Sequence, residues 1–131
     1  MKEEVLMLSD KIKIGMHNGR SALLTGLNLF NLNNNSSVLV PDFICESVLM
    51  PFKKVGVKIL YFSIKNDLSP DWDEIELISQ KNSISAILMI HYFGQPQNIN
   101  KFKFFCNEKK ILLIDDNAHG HSGIANHILL G

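Results

Sequence analysis

Near the end of the chain, Asp115-Asp116-Asn117-Ala118-His119-Gly120-His121 brings two carboxylates and two imidazoles together directly after the apolar run Ile111 to Ile114. A carboxylate placed there can stand beside a basic ring nitrogen and keep it protonated. The same Asp and His side chains are also plausible metal ligands. The plainer alternative is a solvated strand-end turn in which one aspartate caps the next segment. A second cluster, Asn18-Gly19-Arg20-Ser21-Ala22, opens a helical pattern, where free N–H groups and the helix dipole favour an anion such as phosphate. Arg20 is a phosphate ligand or a surface residue, and Ser21 is suited to cap the helix. Pro41-Asp42 and His91-Tyr92-Phe93-Gly94 also follow apolar runs. His91, ending a buried strand, reads as a hydrogen-bonded structural group before it reads as a catalyst.

These clusters need elements to position them, and the apolar spacing supplies a set. Ser21 to Leu32 puts Leu23, Leu27 and Phe30 at helical spacing. Val38 to Val40 reads as a short buried strand stopped by Pro41, and Val57 to Ile64 as the next strand. Cys45 to Lys54 is helical around Val48, Leu49 and Phe52, with Pro51 predicting a kink or a late restart and Gly56 closing it. Ser69-Pro70 predicts a helix start, with the serine hydroxyl as cap, and Trp72, Ile75 and Ile78 supply its apolar face. Ile84 to Tyr92 is a strand broken by Gly94-Gln95-Pro96. Ile99, Phe102, Phe105 and Cys106 form another helical stripe. Ile111 to Ile114 predicts a strand buried on both faces. Strand and helix alternate, so the chain is α/β with a mainly parallel sheet and flanking helices. Ligands of such sheets collect beyond the carboxyl ends of the strands, where the polar clusters stand.

With 131 residues the chain suffices for one domain with a hydrophobic core, and 46% hydrophobic content fits a globular protein. Thirteen basic and thirteen acidic side chains cancel, which argues against a nucleic-acid partner. Lys53-Lys54 and Lys109-Lys110 read as helix-terminal charges that complement the dipole. Cys45 and Cys106 lack a CxxC partner and predict reduced thiols in apolar surroundings. No apolar run approaches a membrane span, and Met1 to Asp10 has no signal-peptide core. The expected setting is cytoplasmic, with the sequons at Asn34 and Asn35 idle and no membrane partner.

A helix-start phosphate seat together with a strand-end carboxylate is what pyridoxal 5'-phosphate requires. In order and approximate spacing, five motifs resemble the DegT/DnrJ/EryC1/StrS family of pyridoxal-phosphate-dependent sugar aminotransferases. They are Gly19-Arg20-Ser21-Ala22-Leu23, Val40-Pro41-Asp42-Phe43, Gly56 before a strand, His91 to Pro96, and Ile114 to Gly120. The resemblance runs from about Gly19 to the C-terminus. It implies a fold-type-I aminotransferase-like large domain, with residues 1–131 as its truncated N-terminal part, a single incomplete domain. It also implies amino transfer to a nucleotide-linked keto-sugar, as in the making of cell-surface polysaccharides, with an amino donor and usually a homodimer.

Carried over by position, the resemblance makes Asp116 the partner of the cofactor's ring nitrogen and puts His119 near its ring hydroxyl. Gly19, Arg20 and Ser21 become the phosphate turn. The position that carries an aromatic residue over the cofactor in many members falls on Cys45, with Phe43 two residues earlier. The family's Schiff-base lysine lies beyond the aspartate motif, whereas the last lysine here is Lys110, before Asp116. The chain alone is therefore expected to be inactive. Two alternatives differ in class: an inert or partner-dependent split-gene fragment, and a small metal-dependent hydrolase using Asp115, Asp116, His119 and His121.

Overall fold

The computed structural model describes residues 14–120 and the backbone of two short strands at 124–125 and 128–129. Helix α1 (Gly19–Leu29) is followed by β1 (Ser37–Pro41), α2 (Glu46–Val55), β2 (Lys58–Phe62), α3 (Trp72–Lys81), β3 (Ala86–Ile90), a 3₁₀ turn (Tyr92–Gly94), α4 (Ile99–Lys109) and β4 (Leu112–Asp116). Strands β5 (Ile124–Ala125) and β6 (Ile128–Leu129) form a separate antiparallel pair. The main sheet has the order β2-β1-β3-β4 and every pairing in it is parallel.

Strand alternation sends successive side chains to opposite faces and so builds two cores. Val38, Val40, Ala86 and Leu88 pack with Leu27 of α1 and with Leu49 and Phe52 of α2. Leu39, Phe62, Ile87 and Met89 pack with Ile75 of α3 and with Ile99, Phe102, Phe105 and Cys106 of α4. The switch of sides follows from topology. The chain moves from β1 outward to β2, then back across β1 to β3, and a crossover of constant hand must place the helices of opposite travel on opposite faces. The direction reverses between β1 and β3. There the pairing covers only Val38–Ala86 and Leu39–Ile87, whereas β1–β2 and β3–β4 pair at five positions each. The carboxyl ends of β1 and β3 therefore part, and a crevice opens where a parallel sheet of this kind binds its ligands.

Several expectations from the sequence shift. Helix α1 begins at Gly19, and its cap is Asn18, whose Oδ1 accepts the N–H of Ser21 at 2.9 Å. Ser21 thus lies inside the first turn, and Phe30, at the far end, is exposed rather than core. Helix α3 is capped by Asp71, which accepts from the N–H groups of Asp73 and Glu74. Ser69 cannot serve because its hydroxyl donates to Asp67 at 2.6 Å, and Pro70 lies in a bridge with Ile64. Pro41 belongs to β1, and α2 runs unbroken through the buried Pro51. Strand β4 is half-exposed rather than buried on both faces, because β3 is its sole strand neighbour among the described residues. Cys106 is buried, as its apolar stripe predicts, but Cys45 is exposed. Gly56 closes α2 in the left-handed conformation at φ 85°, and Lys53, Lys54 and Lys109 occupy the last turns of their helices.

Candidate functional site

The crevice between β1 and β3 is walled by the segments that leave the two strands. Phe43, Ile44 and Cys45 come from one side, and Ile90, Tyr92 and Phe93 from the other. Asp116, Ala118 and His119 close it from the end of β4, around a cavity of about 390 Å³. The Tyr92 hydroxyl donates to the Phe43 carbonyl at 2.7 Å and so laces the two strand ends together. The Phe43 and Tyr92 rings lie 5.3 Å apart. Burial of the Tyr92 phenol, with the negative charges of Asp42 and Asp116 adding to it, raises its pKa well above the usual tyrosine value.

Asp116 ends β4 in register with Ile90, and its Oδ1 accepts the N–H of Ala118 at 3.0 Å. That turn ties one carboxylate oxygen to its own loop, and Asp116 lines the crevice. His119 stacks on Phe93, with centroids 6.1 Å apart and planes 21° apart, while its Nδ1 lies 3.4 Å from the Phe93 amide. Phe93 has φ 53° and Gly94 φ 77°, so the chain makes a left-handed turn under the histidine. A Cβ on Gly94 would lie 3.0 Å from the His119 carbonyl, which adds a steric demand to the conformational one.

A second, larger cavity of about 900 Å³ adjoins the crevice and shares Val48, Asp116 and Ala118 with it. Its polar end is formed by Asn18, Gly19, Arg20 and residues 115–118, and its apolar floor includes Leu23, Leu27, Leu112 and Ile114. With the Ser21 N–H taken by Asn18, the amides of Gly19 and Arg20 are the free donors at the α1 terminus among the described residues. Gly19 and Arg20 thus share one cavity with Asp116. Cys45, Asp116 and His119 share the other, and Ser21 lines neither. The Cys45 thiol is 3.1 Å from the Ser47 hydroxyl, and hydrogen bonding to Ser47 lowers its pKa.

Residues identified in the sequence as a loose cluster separate here. Asp115 and Asp116 point to opposite sides of β4, as alternation requires. Asp115 lies 3.0 Å from the buried His91 and away from the crevice side. Among the described residues no group of three His, Cys, Asp or Glu side chains is placed to hold a metal ion, and His121 lies outside those residues. Asn18, Phe43, Phe93 and Ala118 all lie in motifs read from the sequence, but Phe93 and Ala118 as walls and Asn18 as the cap were roles not assigned there. Only Asn18 carried a readable signal, an Asn three residues before a Ser at the start of a helical pattern.

The sequence matches the model of the DegT/DnrJ/EryC1/StrS aminotransferase family over residues 6–127. The chain belongs to this family. Among curated proteins, a dTDP-4-dehydro-2,3,6-trideoxy-D-glucose 4-aminotransferase from Saccharopolyspora spinosa is 23% identical over 104 residues, covering 79% of this chain and 27% of that protein. A DegT DnrJ EryC1 StrS aminotransferase from Brucella abortus shares the fold with a TM-score of 0.78 and 18% identity, over 87% of this chain and 32% of that one. NtdA from Bacillus subtilis, solved with the bound cofactor PMP, gives 0.69 and 23% over 81% and 24%. This family chain therefore spans about a quarter to a third of the length of these relatives, and its sheet and flanking helices are those of the fold-type-I aminotransferases. No helix among the described residues is long and apolar enough to cross a membrane.

Proposed function

We propose that residues 1–131 are the N-terminal part of a pyridoxal-phosphate-dependent aminotransferase large domain, which in full-length form transfers an amino group to a nucleotide-linked keto-sugar. The observation that carries this reading is the adjacency of the two cavities through Asp116. One offers an anion seat at Gly19 and Arg20, and the other a planar, partly aromatic crevice with Asp116 at its edge. The residues fit the cofactor's chemistry: an amide and guanidinium pair for a phosphate, a carboxylate for a pyridinium, and apolar walls for a ring. When bound, pyridoxal phosphate supplies an electron sink that weakens the bond to hydrogen beside an amine nitrogen.

In this reading each residue of the chain has a task. Asp116 holds the proton on the ring nitrogen, and its link to the Ala118 amide fixes one oxygen so that the other faces the ring. The amides of Gly19 and Arg20 bind phosphate, with the Arg20 guanidinium adding charge; Ser21 supports the same turn from within the helix. His119, oriented by Phe93, hydrogen-bonds the ring hydroxyl. Phe43 and Cys45 contact the ring face and keep water from it. No lysine follows Asp116 in residues 117–131, so the contacts proposed here for the cofactor are noncovalent. The nucleotide-sugar substrate and the amino donor are inferred from the relatives, one of which is named as a dTDP-sugar aminotransferase. The homodimer and the cytoplasmic setting are part of the same proposal.

A partner-dependent form of the reading is favoured by one further observation. Half-exposed β4 offers the larger cavity's apolar floor and, among the described residues, an edge with no strand beside it, where more of the same sheet can pair. The test is titration of the protein with pyridoxamine 5'-phosphate, followed by cofactor fluorescence. Saturable binding that Asp116→Asn weakens is expected, and binding indifferent to Asp116 would remove the proposal.

A further inference from the structure

His91 is a polar side chain with 0% exposure, directly after the end of β3. Its Nδ1 accepts the N–H of Gln97 at 3.0 Å, so a ring proton resides on Nε2. Nε2 lies 3.0 Å from Asp115 Oδ1 but off the axis of its N–H, a close electrostatic contact rather than an aligned hydrogen bond. The backbone N–H of His91 donates to the Asp116 carbonyl at 3.2 Å. Gln97 in turn donates its side-chain amide to the Leu68 carbonyl at 2.8 Å. One buried residue thereby joins the end of β3 to β4 directly, and through Gln97 to the loop after β2.

We propose that His91 is a positioning residue for the Asp116 carboxylate, acting through Asp115. Because neighbouring strand residues face opposite ways, holding Asp115 toward the α3 and α4 side fixes the roll of β4 and turns Asp116 toward the crevice. The Asp115 side chain is 45% exposed and would otherwise follow water. Among the described residues the Asp116 carboxylate is hydrogen-bonded to the Ala118 amide alone, so its aim depends on how its strand is rolled. The consequence for cofactor binding rests on the reading proposed above; the consequence for Asp116 geometry does not.

Two substitutions separate the halves of the contact. His91→Gln keeps a donor near the Nε2 position, and His91→Asn keeps an acceptor near Nδ1 for Gln97 but falls short of Asp115. Both lose the ring, so a purely structural role moves both alike. The readouts are the Ala118 amide proton resonance, which reports its bond to Asp116, and the affinity for pyridoxamine 5'-phosphate. The expected result is a wild-type Ala118 resonance and affinity within about twofold for His91→Gln. For His91→Asn at the same melting temperature, a displaced resonance and about tenfold weaker binding are expected, roughly the effect of one charge-assisted contact. Should the His91 variants fail to fold, Asp115→Ala at the exposed end of the contact is expected to displace the same resonance. An Ala118 resonance unmoved in His91→Asn or in Asp115→Ala overturns the proposal, as does identical behaviour of the Asn and Gln variants. A wild-type protein that binds no pyridoxamine phosphate refutes the cofactor reading alone, and the Ala118 resonance then decides the positioning role by itself.

Discussion

Replacing Tyr92 by Phe removes one oxygen and tests how the two walls of the crevice are tied together. The lost bond, from the phenol to the Phe43 carbonyl at 2.7 Å, is short, and its donor side is buried. Phe43 itself is half-exposed, so water can reach the freed carbonyl and spare most of the cost of an unsatisfied group. The loss is therefore about 1 kcal/mol, at the ordinary end of the hydrogen-bond range. Ring packing against Phe43 is kept, so no cavity cost adds to it. The pH dependence supplies a second, independent sign. Burial and the nearby carboxylates raise the Tyr92 pKa in the folded protein, so the folded state resists ionisation that the unfolded chain allows. The wild-type advantage is fully present below about pH 10, the unfolded tyrosine value, and is lost progressively above it. Urea unfolding at pH 8 should give Tyr92→Phe a lower midpoint at unchanged slope, and the gap should narrow by pH 10.5. Equal midpoints at pH 8, or a gap that widens with pH, would mean that the Tyr92 phenol does not stabilise the fold through this bond.

Three further outcomes follow from the structure. Gly94→Ala forces a side chain into a left-handed φ of 77° and toward the His119 carbonyl, so a loss of about 1–2 kcal/mol is expected in thermal unfolding, with the His119 ring resonances displaced. At pH 7.5 the Ser47 hydroxyl, by lowering the Cys45 pKa, enlarges its thiolate fraction, so Ser47→Ala should slow alkylation of Cys45 severalfold. Burial pushes Cys106 up to about 11, and mass spectrometry should find it unmodified while Cys45 reacts.

What could be read from the residues depended on whether the deciding interaction was local. The stripe Ile99, Phe102, Phe105 and Cys106 declares a helix because its own spacing selects the buried face, and all four are buried. The strands at Val38 and Ala86 are equally plain, since continuous apolar runs have few other uses in a parallel sheet. Helix starts were less legible. Ser69 and Asp71 are both good caps, and the choice fell to Asp71 because Asp67 had already taken the Ser69 hydroxyl. At the site, motif order brought out Asp116, His119, Gly19 and Arg20. The crevice itself depends on β1 and β3 parting after two pairings, a tertiary event with no local mark. The resemblance chose Asp116 by position, but what Asp115 does beside it was hidden. Residue type alone makes adjacent aspartates look equivalent until a strand sends Asp115 to His91 and Asp116 to the crevice.

The central question is whether Asp116 and the amides at the start of α1 hold one phosphorylated pyridine. Fluorescence titration with pyridoxamine 5'-phosphate, run in parallel on the wild-type protein and on Asp116→Asn, measures this. A charge-assisted contact contributes about 1.5–3 kcal/mol, so the account predicts saturable one-to-one binding that weakens roughly tenfold to a hundredfold in the variant. Absence of saturable binding, or equal affinity in the two proteins, would contradict it.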